Sequence, residues 1–405
     1  MSDTQKHTKP NVPNLRFPGF EGEWERCTLG EIGSPYNGLT GKSGDDFGSG
    51  SPYITYKSIF DDTRIDLSRC EFVKISEQER KTQNQVRKGD IFFTISSETP
   101  DEVGMSSVLL DDVNDCYLNS FCFGFRLNVT TALTEFLRFY LRSKTIRKKI
   151  SILAQGSTRY NISKGEIMKM PLRLPFPQEQ KKIAESFSLI EERISIQNKV
   201  IEHYQSLIRA LMQDSQQKAT TVIFLWEVLS ERRELNSEGY QICSVSVSKG
   251  IVNQVEYLGR SFAAKETAHY HVVKEGDIVY TKSPTGSFPY GIIKQSTLAS
   301  PVAVSPLYGV YTPITPEIGT YLHFYFCSPE NTLNYLRKLI QKGAKNTINI
   351  TNRHFLENTI RIPNNKSLSS TVVAIKTLFS RVEMEVSYLR SLELQRNYIL
   401  NQMII

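Results

Sequence analysis

The sequence predicts an α+β fold: two similar mixed α/β domains, separated by two long helices that form an antiparallel coiled coil with a pseudo-two-fold. Two repeated motifs predict the duplication. RKGDIFFT, from Arg87, recurs as KEGDIVYT from Lys274. A glycine-containing loop ending in Asn-Ile follows each motif, and its asparagines, Asn161 and Asn349, are 188 residues apart (349 − 161). A long amphipathic helix then follows each loop.

The period sets the domain boundaries. Solenoid repeats run at about 20–50 residues, so a period of 188 residues indicates duplicated domain-plus-helix units, and 405 residues suffice for two domains. The predicted segments are a flexible tail (1–15), a first domain (16–175), a central helix (176–215), a second domain (216–363) and a C-terminal helix (364–405).

The composition is typical of a soluble globular protein, with 40% hydrophobic and 22% charged residues. No apolar run reaches the roughly 18 residues that cross a bilayer, and no secretion signal opens the chain. The six cysteines show no CxxC pair, which predicts reduced thiols and a cytoplasmic location. The net charge of +7 permits nucleic-acid binding without establishing it.

The location of the charge is more informative than its total. Residues 138–173 contain ten Lys or Arg and one acid, and residues 326–361 contain six and two. Such a patch can release counterions from a phosphate backbone. The alternative is an ordinary solvated helix face, and the recurrence in both halves favours phosphate contact.

Local patterns predict the elements of each domain. Residues 52–59, 90–95 and 303–311 are rich in β-branched and aromatic residues and predict strands. The Gly-Asp pairs predict turns that lead into buried strands. Residues 131–152 and 318–340 predict helices.

Two heptad seams predict the long helices, which begin after Pro175 and Pro363. Each would span roughly 45 Å. Two amphipathic helices packed separately on their own domains are the alternative. The seam positions are Ile183, Phe187, Ile190, Ile194, Gln197, Ile201, Tyr204, Ile208 and Leu211, then Thr371, Ile375, Leu378, Val382, Glu385, Leu389, Leu392, Arg396 and Ile399.

Motifs for catalysis are scarce. Gly41-Lys42-Ser43 resembles the end of a phosphate-binding loop, but Tyr36 stands where that loop needs its first glycine. His269 and His271 would share one face of a strand, but no further ligand completes a metal set. Dinucleotide, amino-methyltransferase and nucleophile-elbow motifs are missing. The sequence therefore predicts no catalytic residue, no cofactor site and no metal site.

The duplicated constellation resembles the specificity (S) subunit of a type I restriction-modification system, and the likeness runs from about Val12 to the end. NLRFPGF from Asn14, followed by Trp24 and LGEI from Leu29, is similar to the usual start of such subunits. Two departures stand out in the second half. Its loop, residues 343–349, has one extra residue, and Thr371 and Arg396 occupy seam positions.

This resemblance implies a division of labour. Each domain would be a target recognition domain that reads half of a bipartite site in double-stranded DNA, and the paired helices would set the spacer. Modification methyltransferase subunits, expected to be two, would carry S-adenosylmethionine. A restriction and translocation subunit would carry ATP and Mg. The chain itself would bind none of these and would not enter a membrane.

Base readout needs donors and acceptors on rigidly held loops, with basic groups anchoring phosphates. Asn161 and Asn349 could equally cap the turn or helix that follows them. The candidates in the first half are Lys42, Ser43, Tyr56, Lys57, Ser96, Ser97, Glu98, Thr99, Arg159, Tyr160 and Asn161. Those in the second half are Lys282, Ser283, Thr285, Lys345, Asn346, Thr347 and Asn349.

Two other functions stay open from the sequence. One is a coiled-coil assembly scaffold without sequence-specific DNA binding. The other is an enzyme that binds NTP through Gly41-Lys42-Ser43.

Overall fold

The computed structural model describes residues 11–254, 266–342 and 348–405. The chain divides into two units, one formed by residues 1–198 and 387–405 and the other by residues 199–386. This division passes through both long helices, so each unit contains one strand-rich domain and a segment of each helix.

The first domain and the helix after it contain eleven described strands and seven α-helices. They are β1 (Glu25–Thr28), α1 (Leu29–Ile32), β2 (Gly33–Asn37), β3 (Phe47–Ile54), α2 (Tyr56–Asp61), β4 (Glu71–Val73), α3 (Glu77–Thr82), β5 (Ile91–Thr94), β6 (Ser96–Ser97), β7 (Ser106–Val108), β8 (Tyr117–Leu118), β9 (Cys122–Leu127), α4 (Thr134–Tyr140), α5 (Lys144–Ile152), β10 (Tyr160–Asn161), α6 (Lys164–Met168), β11 (Pro171–Leu174) and α7 (Pro177–Gln217).

The second domain and its helix follow a similar order through their described residues. They are β12 (Thr221–Phe224), β13 (Leu229–Glu231), β14 (Cys243–Ser246), β15 (Gly250–Asn253), β16 (His271–Val273), β17 (Ile278–Tyr280), β18 (Ile293–Gln295), β19 (Val302–Val304), β20 (Gly309–Pro313), α8 (Pro316–Phe326), α9 (Pro329–Arg337), β21 (Gln341–Lys342), β22 (Ile348–Asn349), α10 (Asn352–Phe355), β23 (Thr359–Ile362) and α11 (Asn365–Met403).

The two domains share one sheet topology. The central sheet has the strand order β2-β9-β5-β7 in the first domain and β13-β20-β17-β18 in the second. All these pairings are antiparallel. A two-stranded sheet, β1-β11 or β12-β23, joins the first strand of each domain to its last. The duplication predicted from sequence is therefore confirmed at the level of the fold.

The predicted Gly-Asp turns lead into the central strands. Gly89 and Gly276 have φ of 89° and 84°, values that favour glycine. The backbone N–H of Asp90 bonds to the Arg87 carbonyl at 3.0 Å, which closes the first turn. All residues of β5 and β17 are buried.

A buried carboxylate stands at the start of each central strand. In the first domain, Asp90 has an exposed side-chain fraction of 1%. Arg126 donates to it from Nε and Nη2 at 2.7 Å each, and the Tyr36 hydroxyl donates at 2.6 Å. Burial and the Asp90 charge raise the pKa of Tyr36, so its hydroxyl stays protonated.

The second domain satisfies the equivalent Asp277 from exchanged positions. Arg232 donates from Nε at 2.6 Å and from Nη2 at 3.1 Å, and the Thr312 hydroxyl donates at 2.9 Å. The strand registers place Arg232 at the position of Tyr36 and Thr312 at that of Arg126. The arginine has therefore moved from the strand beside the central one, β9, to the end of the strand one further away, β13, while the buried ion pair is retained.

A second pair of glycines brings the chain back to each central strand. Gly104 and Gly291 have φ of 63° and 104°. A Cβ on Gly291 would lie 1.8 Å from the Thr281 carbonyl oxygen, and one on Gly104 would lie 2.8 Å from Ile150 Cγ2. Glycine is required here by backbone conformation and by space.

Each long sequence-predicted helix is two short helices. Residues 131–152 divide into α4 and α5, because Ser143 leaves the helical conformation and its side chain accepts from the Ile146 N–H at 3.4 Å. Residues 318–340 divide in the same way, because Ser328 caps α9 and Pro329 opens it. A serine cap satisfies N–H groups that only a new helix start leaves free.

Two predicted strands also differ in extent. Residues 52–59 begin in β3, but Thr55 caps helix α2, with its hydroxyl accepting from the Ser58 N–H at 3.2 Å. Residues 303–311 contain most of two strands, β19 and β20, joined by a turn in which the Tyr308 N–H bonds to the Ser305 carbonyl.

Both long helices are longer than the roughly 45 Å expected from their heptad seams. Helix α7 has 41 residues and α11 has 39, which gives about 60 Å each. Every predicted seam position on both helices is buried or half-buried, so the seams are confirmed. Gln197 is 7% exposed, and Glu385 accepts from Arg381 at 2.9 Å.

Within the first unit the helix segments run antiparallel. Arg193 on α7 lies over the Tyr388 ring of α11, 5.4 Å from its centroid, and donates to its hydroxyl. Earlier on α7, Phe187 shares a hydrophobic cluster with Met403, near the end of α11. In the second unit the Thr371 hydroxyl lies 3.4 Å from that of Ser215.

Residues 11–15, assigned from sequence to a flexible tail, are fixed to the first unit. The Trp24 backbone N–H bonds to the Asn11 carbonyl at 2.9 Å, and the Leu15 backbone N–H bonds to the Gln402 carbonyl at 3.0 Å. Just beyond them, Arg16 forms an ion pair at 2.7 Å with Glu179, which is 1% exposed. Of the helices in the described part of the chain, none is long and apolar enough to cross a membrane.

Candidate nucleic-acid interface

Three separate segments of the first domain converge on one open cleft of about 690 Å³. Strand β6 pairs with β10, with Ser97 opposite Tyr160 and Ser96 opposite Asn161. Helix α2 lies across from this ribbon. The cleft is lined by Tyr56, Phe60, Ser96, Ser97, Glu98, Glu102, Thr158 and Arg159.

Tyr56 fixes the aromatic side of the cleft. Its hydroxyl donates to the Ser96 carbonyl at 2.6 Å, and burial raises the pKa of this phenol. Phe60, one turn later on α2, stacks against the ring at 6.0 Å between centroids. The neighbouring Lys57 is exposed and directs its charge to solvent.

The glycine-containing loop supplies the cation. Gly156 has φ of 140°, and a Cβ there would lie 2.1 Å from the Arg159 carbonyl oxygen. Gln155 and Asn161 exchange two backbone hydrogen bonds at 2.9 and 2.8 Å, which closes the loop. The Arg159 guanidinium donates to Ser96 Oγ at 3.2 Å and is otherwise exposed. It is therefore restrained but keeps donors for a ligand.

Carboxylates complete the cleft. Glu102 accepts from Thr99 Oγ1 at 2.8 Å and from Ser97 Oγ at 3.2 Å, so it orders the turn after β6. Glu98 is exposed. Guanidinium donors beside carboxylate acceptors match the edges of guanine and cytosine in the major groove.

Asn161 does not cap a helix. Its side-chain amide lies 3.4 Å from the Arg159 carbonyl, inside the loop, and the cap of α6 is Ser163. In the second domain Thr351 caps α10, with its hydroxyl accepting from the His354 N–H at 3.1 Å. Asn161 therefore bonds within its own turn and does not cap helix α6, whereas the side chain of Asn349 lies outside the described residues.

Lys42 and Ser43 lie in another cleft, which excludes the residues described above. The Lys42 ammonium forms an ion pair with Glu79 at 2.5 Å and is 7% exposed. This contact, with hydrogen bonds from Ser76, lowers the pKa of Glu79 to about 2. The Ser43 N–H and hydroxyl bond to Asp46 at 2.8 and 3.1 Å. Lys42 is therefore held in a buried ion pair, and Ser43, although exposed, bonds within its own loop.

This arrangement also removes support for NTP binding. A phosphate-binding loop needs free N–H groups at the start of a helix and a free lysine. Here Gly44 begins a 3-10 helix of three residues, and Lys42 is already paired.

Three arginines of the basic stretch 138–173 are structural. Arg142 donates to the carbonyls of Ile59, Phe60, Asp62 and Ser106. Arg147 donates to the carbonyls of residues 101, 103 and 104. Burial lowers the pKa of both to about 10. Arg138 bonds Thr63 at 2.8 Å and also Glu191.

The remaining charges of this stretch are more accessible. Lys144 and Lys148 are exposed on α5. Lys149 is half-buried and donates to the Pro171 carbonyl at 3.0 Å. Fewer than the ten cations of this stretch are therefore available to bind phosphate.

The second domain repeats part of this site. Lys282 follows β17 and is half-buried, and burial lowers its pKa while the Glu231 charge acts in the opposite direction. Ser283 and Thr285 are exposed, and Thr285 exchanges two backbone hydrogen bonds with Phe288 at 2.9 and 3.0 Å.

The glycine-containing loop of that domain is described only at its ends. Strand β21 pairs with β22 there, with Gln341 opposite Asn349. The candidates Lys345, Asn346 and Thr347, and the side chain of Asn349, lie outside the described residues.

Sequence reasoning missed three cleft residues: Phe60, Glu102 and Thr158. Phe60 stands four positions after Tyr56, the spacing of neighbours on a helix, but the sequence pattern places Tyr56 in a strand that ends at residue 59. Glu102 stands three positions after Thr99, a spacing at which a side chain can close a turn.

Comparison with known proteins supports the resemblance. Residues 21–203 match the family model of the type I restriction modification DNA specificity domain. The fold is similar to the type-I restriction-modification system S subunit from M. genitalium, with 14% identity, a TM-score of 0.57, and coverage of 97% of this chain and 99% of that one. A structure from work on complex assembly and conformational transition of the type I R-M system has 15% identity, a TM-score of 0.52, and coverage of 96% and 98%.

Proposed function

We propose that this chain recognises DNA sequence for a type I restriction-modification system, because residues 21–203 match the family model of the type I restriction modification DNA specificity domain. Each domain reads one half of a bipartite site in double-stranded DNA. The long helices set the unread spacer between the halves. The five-segment division of the chain stays a prediction on which this mechanism depends.

The convergence of three chain segments on one cleft carries the proposal for the first domain. Arg159 offers donors suited to guanine O6 and N7, and Glu98 offers an acceptor suited to the cytosine amine. Ser96 and Ser97 can donate or accept. Lys57, Lys144 and Lys148 would contact phosphates and fix the register of the domain on DNA.

The chain acts without catalysing a reaction, as the S-subunit likeness implies. Modification methyltransferase subunits, two in number, would bind S-adenosylmethionine and transfer the methyl group. A restriction subunit would use ATP and Mg. The chain alone, incubated with labelled S-adenosylmethionine and DNA, should transfer no methyl group, and transfer would contradict the proposal.

Arg159→Ala tests the cleft directly. We expect the mutant, assembled with its methyltransferase subunits, to lose about 1–3 kcal/mol of discrimination at a base pair of one half-site. The measurement is the methylated sequence across a genome, together with binding to matched and mismatched duplexes.

Lys148→Ala is the matched control for Arg159→Ala. Loss of a phosphate contact should weaken binding about equally for all sequences and reduce its salt dependence. If Arg159→Ala also weakens all duplexes equally, Arg159 does not read a base. If neither wild-type domain prefers any sequence over competitor DNA, the chain is an assembly scaffold.

A further inference from the structure

A lysine, a histidine and a cysteine meet in the second domain, and none belongs to the DNA-binding candidates. Lys294 on β18 donates from Nζ to Cys327 Sγ at 3.3 Å. His323 on α8 places Nε2 at 3.8 Å from the same sulfur. Lys294 is 6% exposed, whereas Cys327 is half-buried and reachable from solvent.

The histidine is oriented by the backbone. His323 Nδ1 accepts from the Gln295 N–H at 3.0 Å. A neutral imidazole whose Nδ1 accepts carries its proton on Nε2, so that N–H is directed at Cys327. Burial, with the nearby Lys294 charge, lowers the pKa of His323 to about 3, and the ring is therefore neutral at physiological pH.

The buried lysine needs an anion. A buried ammonium is stable when it is paired, and in the described ranges Lys294 has no carboxylate within ion-pair distance. Other titratable groups on the packed elements face elsewhere: Tyr311 on β20 donates to the Asn352 carbonyl, and Glu330 on α9 is exposed. The sulfur is the acceptor that remains.

We propose that Cys327 is a nucleophile and a modification site for small electrophiles, with hydroperoxides as the physiological class. Two N–H donors converge on its sulfur, and such donors stabilise negative charge on the attacking sulfur. The thiolate attacks one peroxide oxygen, so that the S–O bond forms and the O–O bond breaks. The leaving hydroxide takes a proton from Lys294, which gives a sulfenic acid and water.

Cys27 serves as an internal control for the reactivity of Cys327. Cys27 is also half-buried, but burial and the charges of Glu31 and Glu25 raise the pKa of its thiol. A thiol near carboxylates should react slowly under conditions in which a thiol near an ammonium reacts fast.

The test is pulsed alkylation of the full chain with iodoacetamide from pH 6 to 7.5, with each cysteine peptide quantified by mass spectrometry. Ordinary thiols gain about tenfold in thiolate per pH unit in this range. Cys327 should react at least about tenfold faster than Cys27 at pH 6.5. After hydrogen peroxide, dimedone should label Cys327 and leave Cys27 unlabelled.

Variants assign the effect to Lys294. Lys294→Met should slow alkylation of Cys327 by about tenfold or more, Lys294→Arg should retain most of the rate, and the exposed Lys338→Met should change nothing. A Cys327 rate no greater than that of Cys27, or an unchanged rate in Lys294→Met, overturns the proposal. If Lys294→Met does not fold, the ratio of the Cys327 and Cys27 rates in the wild-type chain decides alone.

Discussion

At the scale of single residues, arginines of the first domain serve two purposes that the sequence does not distinguish. Arg159 is exposed at the cleft, and its guanidinium makes one hydrogen bond within the described ranges, to Ser96. Arg142 is half-buried and bonds four backbone carbonyls across the domain. The first can recognise a ligand, whereas the second connects the segment between α4 and α5 to the end of α2 and to β7.

Arg142→Ala should therefore lower the free energy of unfolding by about 3 kcal/mol, because buried carbonyls lose their donor. The measurement is urea denaturation followed by circular dichroism. The exposed Lys148→Ala on α5 should stay within about 0.5 kcal/mol of wild type. Equal stability of the two mutants would show that the carbonyls find other partners.

The sequence predicted part of the cleft for a physical reason. Ser96 and Ser97 closely follow a buried strand, so the strand fixes their position without any contribution from distant parts of the chain. Lys42 shows what sequence could not provide, because its partner Glu79 is 37 positions away. A charge is useful to a ligand only if the fold leaves it unpaired, and that pairing is decided by tertiary contacts.

At the scale of elements, backbone turns maintain the central strands of both domains. Gly291→Ala should destabilise the second domain by about 3 kcal/mol or more, because a Cβ would lie 1.8 Å from the Thr281 carbonyl oxygen. Gly286→Ala is the matched control, since its φ is 53° and nothing lies within 4 Å of a Cβ there.

Only backbone strain of about 1–2 kcal/mol should affect Gly286→Ala. Thermal unfolding and hydrogen exchange of strand β17 would compare the two variants. Similar losses in both would mean that the close approach at Gly291 relaxes without cost.

The long helices permit a prediction about distance. Four residues inserted near Gln197 add about 6 Å, so the spacer should lengthen by one or two base pairs at about 3.4 Å each, with both half-sites unchanged. Two inserted residues rotate the helix by roughly half a turn and should damage binding more. The methylated sequence is the measurement, and an unchanged spacer in an active four-residue insertion would refute the proposed role.

Sequence patterns were most informative for these helices. A heptad seam depends on local spacing, and all its positions are buried or half-buried in the structure. For the shorter helices the sequence pattern predicts one helix where the structure has two. Ser143 and Ser328 begin a new helix within a run whose apolar spacing continues across the break. Hydrophobic periodicity does not register a change of direction.

At the scale of the whole molecule, the two domains share a topology while their binding segments differ. Strand order is the same in both central sheets. The first domain has an arginine at its cleft, and the candidates after β17 are Lys282, Ser283 and Thr285. We therefore expect each domain to read its own half-site with its own binding segments, which the same sheet topology supports in both domains.

The exchanged arginine has a consequence for recombination between the halves. A crossover between β2 and β9 would give one chimaeric domain that carries both Tyr36 and Thr312. The buried aspartate of that domain would have no cationic partner. The reciprocal product would place Arg232 and Arg126 beside one carboxylate. An unpaired buried charge costs about 3–5 kcal/mol. Viable breakpoints are therefore expected outside the stretch from β2 to β9, so that this stretch is inherited as one unit.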